Sequence, residues 1–277
     1  MARPLTPLRL RRLRMWLVTV ALALPLLAAA LHLRPRWESL PWASGWALAA
    51  LTLLLVLYNL RKKLPFLPLG HTARWAQLHY YGGVLTTLLF LIHLDFRPPA
   101  GLLTGTLAAL FAATALSGLI GLALCRVVPR NLAARCGEIE FARIPAIRGE
   151  IAGRIEALIG EAMVETRSTT LGEFHRDRLL PFLGGPRNRL LHVVNSDRPE
   201  AELRRAFIEL ERYLDADERA RLDELRALVL AKNDLDFHYT GQWVLRHWLH
   251  LHIPLAWGTA LLVPLHLTLV HAFMGGG

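Results

Sequence analysis

Apolar residues along this chain gather into five runs, at 15–33, 42–60, 75–94, 102–125 and 249–273. Each is long enough to cross a membrane, since a hydrocarbon core of about 30 Å takes about 20 helical residues. Between the fourth and fifth runs the pattern changes. Residues 126–242 are polar, with apolar positions at helical spacing: Leu203, Phe207, Leu210 and Leu214 in one segment, Leu222, Leu225 and Leu228 in the next. Those two segments can pack as an antiparallel pair. Start signals precede them, Asp197 with Pro199 and Asp215 with Glu218, and Thr170 with Glu173 has the same capping-box form ahead of Phe174. The pattern predicts an all-α membrane protein, a five-helix transmembrane bundle with a mainly helical insert between the fourth and fifth spans. Residues 1–125 carry the first four helices, 126–242 the insert, and 243–277 the last span, which completes the bundle.

Composition agrees with that reading: 53% of residues are hydrophobic, and mean hydropathy is positive at +0.33. Charge orients it. The formal net charge is +10, but the insert is balanced, with 20 basic side chains in 126–246 (32 in all, less 12 elsewhere) against 20 acidic ones (22 less Glu38 and Asp95). The surplus sits at residues 1–14 and in the link 61–74, next to the apolar runs. Such a distribution follows the positive-inside rule and argues against nucleic acid as a partner. It predicts a bacterial-type cytoplasmic membrane with the N-terminus and insert cytoplasmic and the C-terminus outside. The first run also has the basic start and Ala-rich end of a signal peptide; its length favours a retained anchor.

Several chemistries are excluded by motif. The only cysteines are Cys125 and Cys136, and without a C-x-x-C or C-x-x-C-H pattern the chain encodes no zinc ribbon, no cysteine-ligated iron–sulfur cluster and no covalently attached haem. The insert has no glycine-rich phosphate loop, dinucleotide fingerprint or paired-carboxylate motif. Its His175, His192 and His238 are scattered and read as ordinary polar or packing residues, as His71 does at the membrane surface.

What the apolar runs do carry is histidine. His79 and His93 lie fourteen residues apart in the third run, and His252 and His266 repeat that spacing in the fifth. Fourteen residues make nearly four helical turns, so each pair shares a face with its members about 21 Å apart. Histidine inside hydrocarbon is costly enough to call for a partner, a cofactor or a water path. Imidazole is an axial ligand of haem iron, and two of them leave no open position for a substrate. The expectation is two b-type haems, stacked between the third and fifth helices. These helices run parallel in the predicted topology, so His79 pairs with His252 around a cytoplasmic-side haem iron and His93 with His266 around an outer one. Thr86 and Thr259 lie midway between the members of each pair, and Gly82, Gly83 and Gly258 remove bulk where a porphyrin needs room. In the fourth span Gly105, Ala109, Ala113, Ser117, Gly121 and Cys125 recur every four residues, which reads as helix packing, and the second span reads as packing and anchorage. His250 and His271 stay as competitors for the last helix's ligands, because Pro254 and Pro264 lie close to His252 and His266.

This arrangement resembles the di-haem b-type cytochromes, including the ferric-reductase-type transmembrane domain and the cytochrome b subunits of respiratory complexes, through His79, His93, His252 and His266. The resemblance covers the third to fifth spans and implies transmembrane electron transfer through two non-covalent haems, as the membrane subunit of a redox complex. A cytoplasmic redox protein, an iron–sulfur protein or flavoprotein, would dock on the insert; a quinone or an extracytoplasmic cytochrome would serve the outer side. The chain departs from those families in its long insert and in having no flavin or nicotinamide domain. Two other readings stand beside this one: a proton relay or transporter that uses the buried histidines, and a structural membrane adaptor.

Overall fold

The computed structural model describes residues 7–33, 40–63, 71–135, 137, 139–166 and 169–274. Among them every regular element is helical and no strand occurs. Ten α-helices follow in order: α1 (Pro7–Leu33), α2 (Leu40–Lys63), α3 (Thr72–His93), α4 (Leu102–Arg135), α5 (Ile144–Thr166), α6 (Thr170–Phe174), α7 (Leu180–Leu183), α8 (Arg189–Val193), α9 (Arg198–Glu211) and α10 (Ala216–Met274). A 3₁₀ turn precedes α5 and a π-turn, His175–Leu179, joins α6 to α7. Cys136 lies outside the described residues, whereas Cys125 is a half-buried free thiol.

Three of these helices have stretches long and apolar enough to cross a membrane, Pro41–Tyr58, Leu102–Arg135 and Arg221–Phe273, which is compatible with a membrane protein; α1 contributes the shorter apolar stretch Leu13–Ala28. Within Arg221–Phe273 the charged residues stop at Arg246. At 22 residues α3 is as long as a span, but Gln77, Tyr80, Tyr81 and its two histidines lower its hydropathy. The residues that make it chemically interesting make it less apolar.

The chain divides into two compact units, one of residues 1–122 with 249–277 and one of 123–248. In the first, α3 packs against both α1 and α2. Trp16 of α1 meets Tyr81 of α3 edge-on with ring centres 5.4 Å apart, and Phe90 of α3 stacks on Phe111 of α4 at 4.1 Å. Thr114 of α4 and Thr259 of α10 share a hydrogen bond of 3.1 Å. Gly258 lets α4 approach, since a Cβ there would come within 3.1 Å of Leu110.

The second unit has its own apolar core. Ile155 and Ile159 of α5, Leu171, Leu179, Phe182 and Leu183 of the α6–α7 segment, Phe207, Leu210 and Leu214 at α9, and Leu222, Leu225 and Val229 of α10 form one buried cluster, with Leu203 and Leu228 packed against it. These include the positions picked out by helical spacing in the sequence. Replacing Ile155, which is fully buried, by valine removes one methylene. It is expected to cost about 1 kcal/mol in this unit's stability, read by chemical denaturation.

Two start signals act as the sequence suggests, and one is displaced. Asp197 is the residue before α9, with Pro199 in its first turn. The Asp215 backbone N–H donates to the Glu218 carboxylate at 3.1 Å, which is the return half of a capping box. At α6 the cap falls on Thr169 and not Thr170, because the Glu173 N–H bonds to the Thr169 carbonyl at 2.8 Å. Larger differences concern length. Helix α4 runs ten residues past Cys125 with Pro129 inside it, and α10 carries the last core helix of the insert and the fifth apolar run as one helix of 59 residues, with Pro254 and Pro264 inside. The reason is compositional, since neither glycine nor proline interrupts 216–240. Gly241 does not break α10 either: a Cβ there would come within 3.0 Å of Leu132 of α4, so its bareness serves packing.

His192 proves to be a buried histidine, edge-on to Phe237 at 5.7 Å, with neither ring nitrogen hydrogen-bonded among the described residues. Burial, reinforced by Arg135 and Lys232, lowers its pKa to about 4. The folded value is then below the ordinary one of about 6.5, so below that pH the unfolded chain takes up a proton that the folded chain refuses. Stability of this unit is expected to be flat above about pH 6.5 and to fall as the pH drops toward 4. A His192→Gln variant should flatten that slope in melts run across the range.

Candidate functional site

The site is built in the first unit, from α2, α3, α4 and the C-terminal part of α10. His79 of α3 and His252 of α10 face each other with ring centres 6.2 Å apart and ring planes at 88°. Each is held by its Nδ1. That of His79 lies 3.1 Å from the Leu55 carbonyl of α2, and that of His252 lies 3.2 Å from Ser117 Oγ of α4. Tyr58 of α2 flanks the His79 ring at 4.9 Å. Gly118 of α4 lies against the His252 ring, as a Cβ there would stand at an ordinary contact distance of 3.6 Å from His252 Cε1. A carbonyl oxygen can only accept, so His79 carries its proton on Nδ1 and the lone pair on Nε2. Ring nitrogens tied this way are the usual support of a histidine that binds a metal through its other nitrogen.

The second pair sits at the other ends of the same helices. His93 and His266 line one cavity of about 210 Å³, walled otherwise by apolar residues of α2, α3, α4 and α10, with Trp42, Trp46 and Phe111 among them. His93 Nδ1 lies 3.1 Å from Ser44 Oγ of α2. Gly45, the next residue, gives the same ring room: a Cβ there would come within 3.1 Å of His93 Cε1. Thr52 also lines this cavity, with a buried hydroxyl that has no hydrogen-bond partner among the described residues.

Between the two pairs Thr86 and Thr259 are buried, at 2% and 1% exposure. Both hydroxyls are satisfied within their own helices, Thr86 by the Gly82 carbonyl at 2.8 Å and Thr259 by Leu255 at 2.9 Å. Gly83 faces open space, with nothing within 4 Å of where a Cβ would be.

Of the competing histidines, His250 is exposed and His252 buried. His247 stacks on Trp243 with ring centres 3.7 Å apart. His271 is different, for it lines the same cavity as His93 and His266 and lies 5.7 Å from the Trp46 ring. Sequence reasoning missed Ser44, Gly45, Ser117, Gly118 and the Leu55 carbonyl. Ser117 belongs to the every-fourth stripe of α4, which is buried at Ser117 and Gly121 and exposed at Ala109 and Ala113, so the stripe holds a histidine as well as packing a helix. Serine and glycine one position apart in an otherwise Leu/Ala helix were the available signal. Among the described residues no group of three or more His, Cys, Asp or Glu side chains could hold a metal ion. Comparison with protein-family models, with curated proteins and with solved structures finds no match to this chain.

Proposed function

We propose that this chain carries electrons across a membrane, with His79 and His252 holding one b-type haem and His93 and His266 a second. The observation that supports this most is the His79–His252 pair. Two imidazoles that bind one metal from opposite sides, at about 2 Å per bond, have ring centres about 6 Å apart, and these two stand at 6.2 Å. A ligand set of two is too small for a bare ion but sufficient for a haem, whose ring supplies the other four nitrogens. Such a haem, when bound, supplies one-electron chemistry at an iron with no open position.

The protein's own part is to fix two imidazoles per site, keep water out with apolar walls and set the two sites about 21 Å apart along the helices. On this reading the five apolar runs form the bundle and the insert is cytoplasmic, docking an iron–sulfur protein or flavoprotein. The His93–His266 end faces out, toward a quinone or an extracytoplasmic cytochrome, in a bacterial-type cytoplasmic membrane. Purified in detergent and reduced with dithionite, the protein should show a b-type spectrum with about two haems per chain. A colourless preparation from haem-replete cells would sink this reading and leave the proton-relay alternative.

A further inference from the structure

We infer that α2, outside the part of the chain that carries the resemblance, fixes the ligating nitrogen of both α3 histidines, with Ser44 the positioning residue for His93. This rests on the reading of His79 and His93 as haem ligands, but the proton assignment itself rests on geometry alone. Ser44 has one hydroxyl proton, and its Oγ donates to the Pro41 carbonyl at 3.1 Å. With its proton on that carbonyl, Ser44 Oγ meets His93 Nδ1, also at 3.1 Å, as an acceptor. The N–H of His93 is on Nδ1, and its Nε2 carries the lone pair.

The same logic holds eleven residues on. The Leu55 carbonyl of α2 takes the Nδ1–H of His79 at 3.1 Å. One helix thus presents an acceptor to each of the two α3 histidines, and both rings are left with Nε2 as the basic nitrogen. Ser44 is buried, at 6% exposure. Gly45 eases the contact, because a Cβ there would come within 3.1 Å of His93 Cε1. An N–H donated to an acceptor also raises the electron-donating power of the opposite nitrogen. The hydrogen bond from His93 should accordingly hold the outer haem at a lower midpoint potential than an untethered imidazole would.

The test is a redox titration with EPR of the detergent-solubilised holoprotein carrying Ser44→Ala or Ser44→Thr. The alanine variant should raise the midpoint potential of one haem and alter its low-spin signal while the other stays unchanged, and threonine, which keeps the hydroxyl, should restore both. Two unmoved haems in Ser44→Ala, or a shift that threonine does not reverse, would overturn the inference. ¹⁵N spectra of the histidine-labelled native-sequence chain separate this from the haem question. A protonated Nδ1 on His93 in protein isolated without haem upholds the assignment even if the protein proves colourless, and a protonated Nε2 refutes it.

Discussion

Replacing His252 with alanine is expected to lower bound haem to about half, and the haem that is left should keep the spectrum and potential of one component of the native protein. The expectation follows from how separately the two pairs are held. His252 leans on Ser117 and Gly118 of α4 and faces His79, itself tied to Leu55. His93 leans on Ser44 and Gly45 of α2 and shares its cavity with His266. The anchors described at one end, Ser117, Gly118 and Leu55, differ from those at the other, Ser44 and Gly45, and buried Thr86 and Thr259 lie between the pairs. His93→Ala should therefore give the complementary loss, with the component kept in one variant being the one lost in the other. Pigment analysis with difference spectra reads this directly. Full haem retention in both variants would mean that these histidines are not ligands, and full loss in both would mean that the sites are not separate. His250→Ala, two residues away but on an exposed position, should change nothing. At the outer end the comparison of His266→Ala with His271→Ala decides between two residues that line one cavity. Spacing favours His266.

The four histidines stand out in the sequence because polar side chains are rare in apolar runs and their equal spacing groups them as two pairs; the structure brings His79 and His252 to ring centres 6.2 Å apart and sets His93 and His266 on one cavity. The core of the insert was legible for a similar reason: Phe207, Leu210, Leu222 and Leu225 repeat at helical intervals among charged neighbours, and all are buried. What could not be read was the support. Ser44 and Ser117 act through one oxygen each, and Leu55 through its backbone carbonyl, which no side-chain pattern encodes. Helix ends were obscure where the chain lacks punctuation. Nothing between Ala216 and Tyr239 distinguishes the end of a soluble helix from its continuation, and α10 continues. His192 was passed over because its significance is burial, and a single histidine in a polar segment carries no periodic signature.

Removing the Lys232 ammonium should be the most damaging single change in the insert. Lys232 and Asp236 stand one turn apart on α10 as an ion pair at 2.6 Å, both side chains at 0% exposure. The ammonium also donates to the carbonyls of Phe182 and of Gly185, the latter at 2.8 Å, and lies 3.9 Å from the centre of the Phe182 ring. Lys232 thus staples the turn after α7 onto α10, and the Arg187 N–H completes the staple by donating to Asp236 at 3.0 Å. In Lys232→Met the Asp236 carboxylate keeps only that N–H, two carbonyls lose their donor, and a buried charge is left without its counter-ion. Losing one partner of a buried pair costs about 3–5 kcal/mol. Hydrogen-exchange protection of α9 and of α10 up to residue 248 should fall by roughly two to four orders of magnitude, since about 1.4 kcal/mol is a factor of ten. The double variant Lys232→Met with Asp236→Leu should recover most of the loss, because replacing both charges by apolar groups removes the desolvation penalty along with the attraction. If the double variant exchanged as fast as the single one, the two carbonyl bonds and not the ion pair would be the source of stability. On the proposed reading the haems would be held in the other unit, so haem content should be unchanged in both variants.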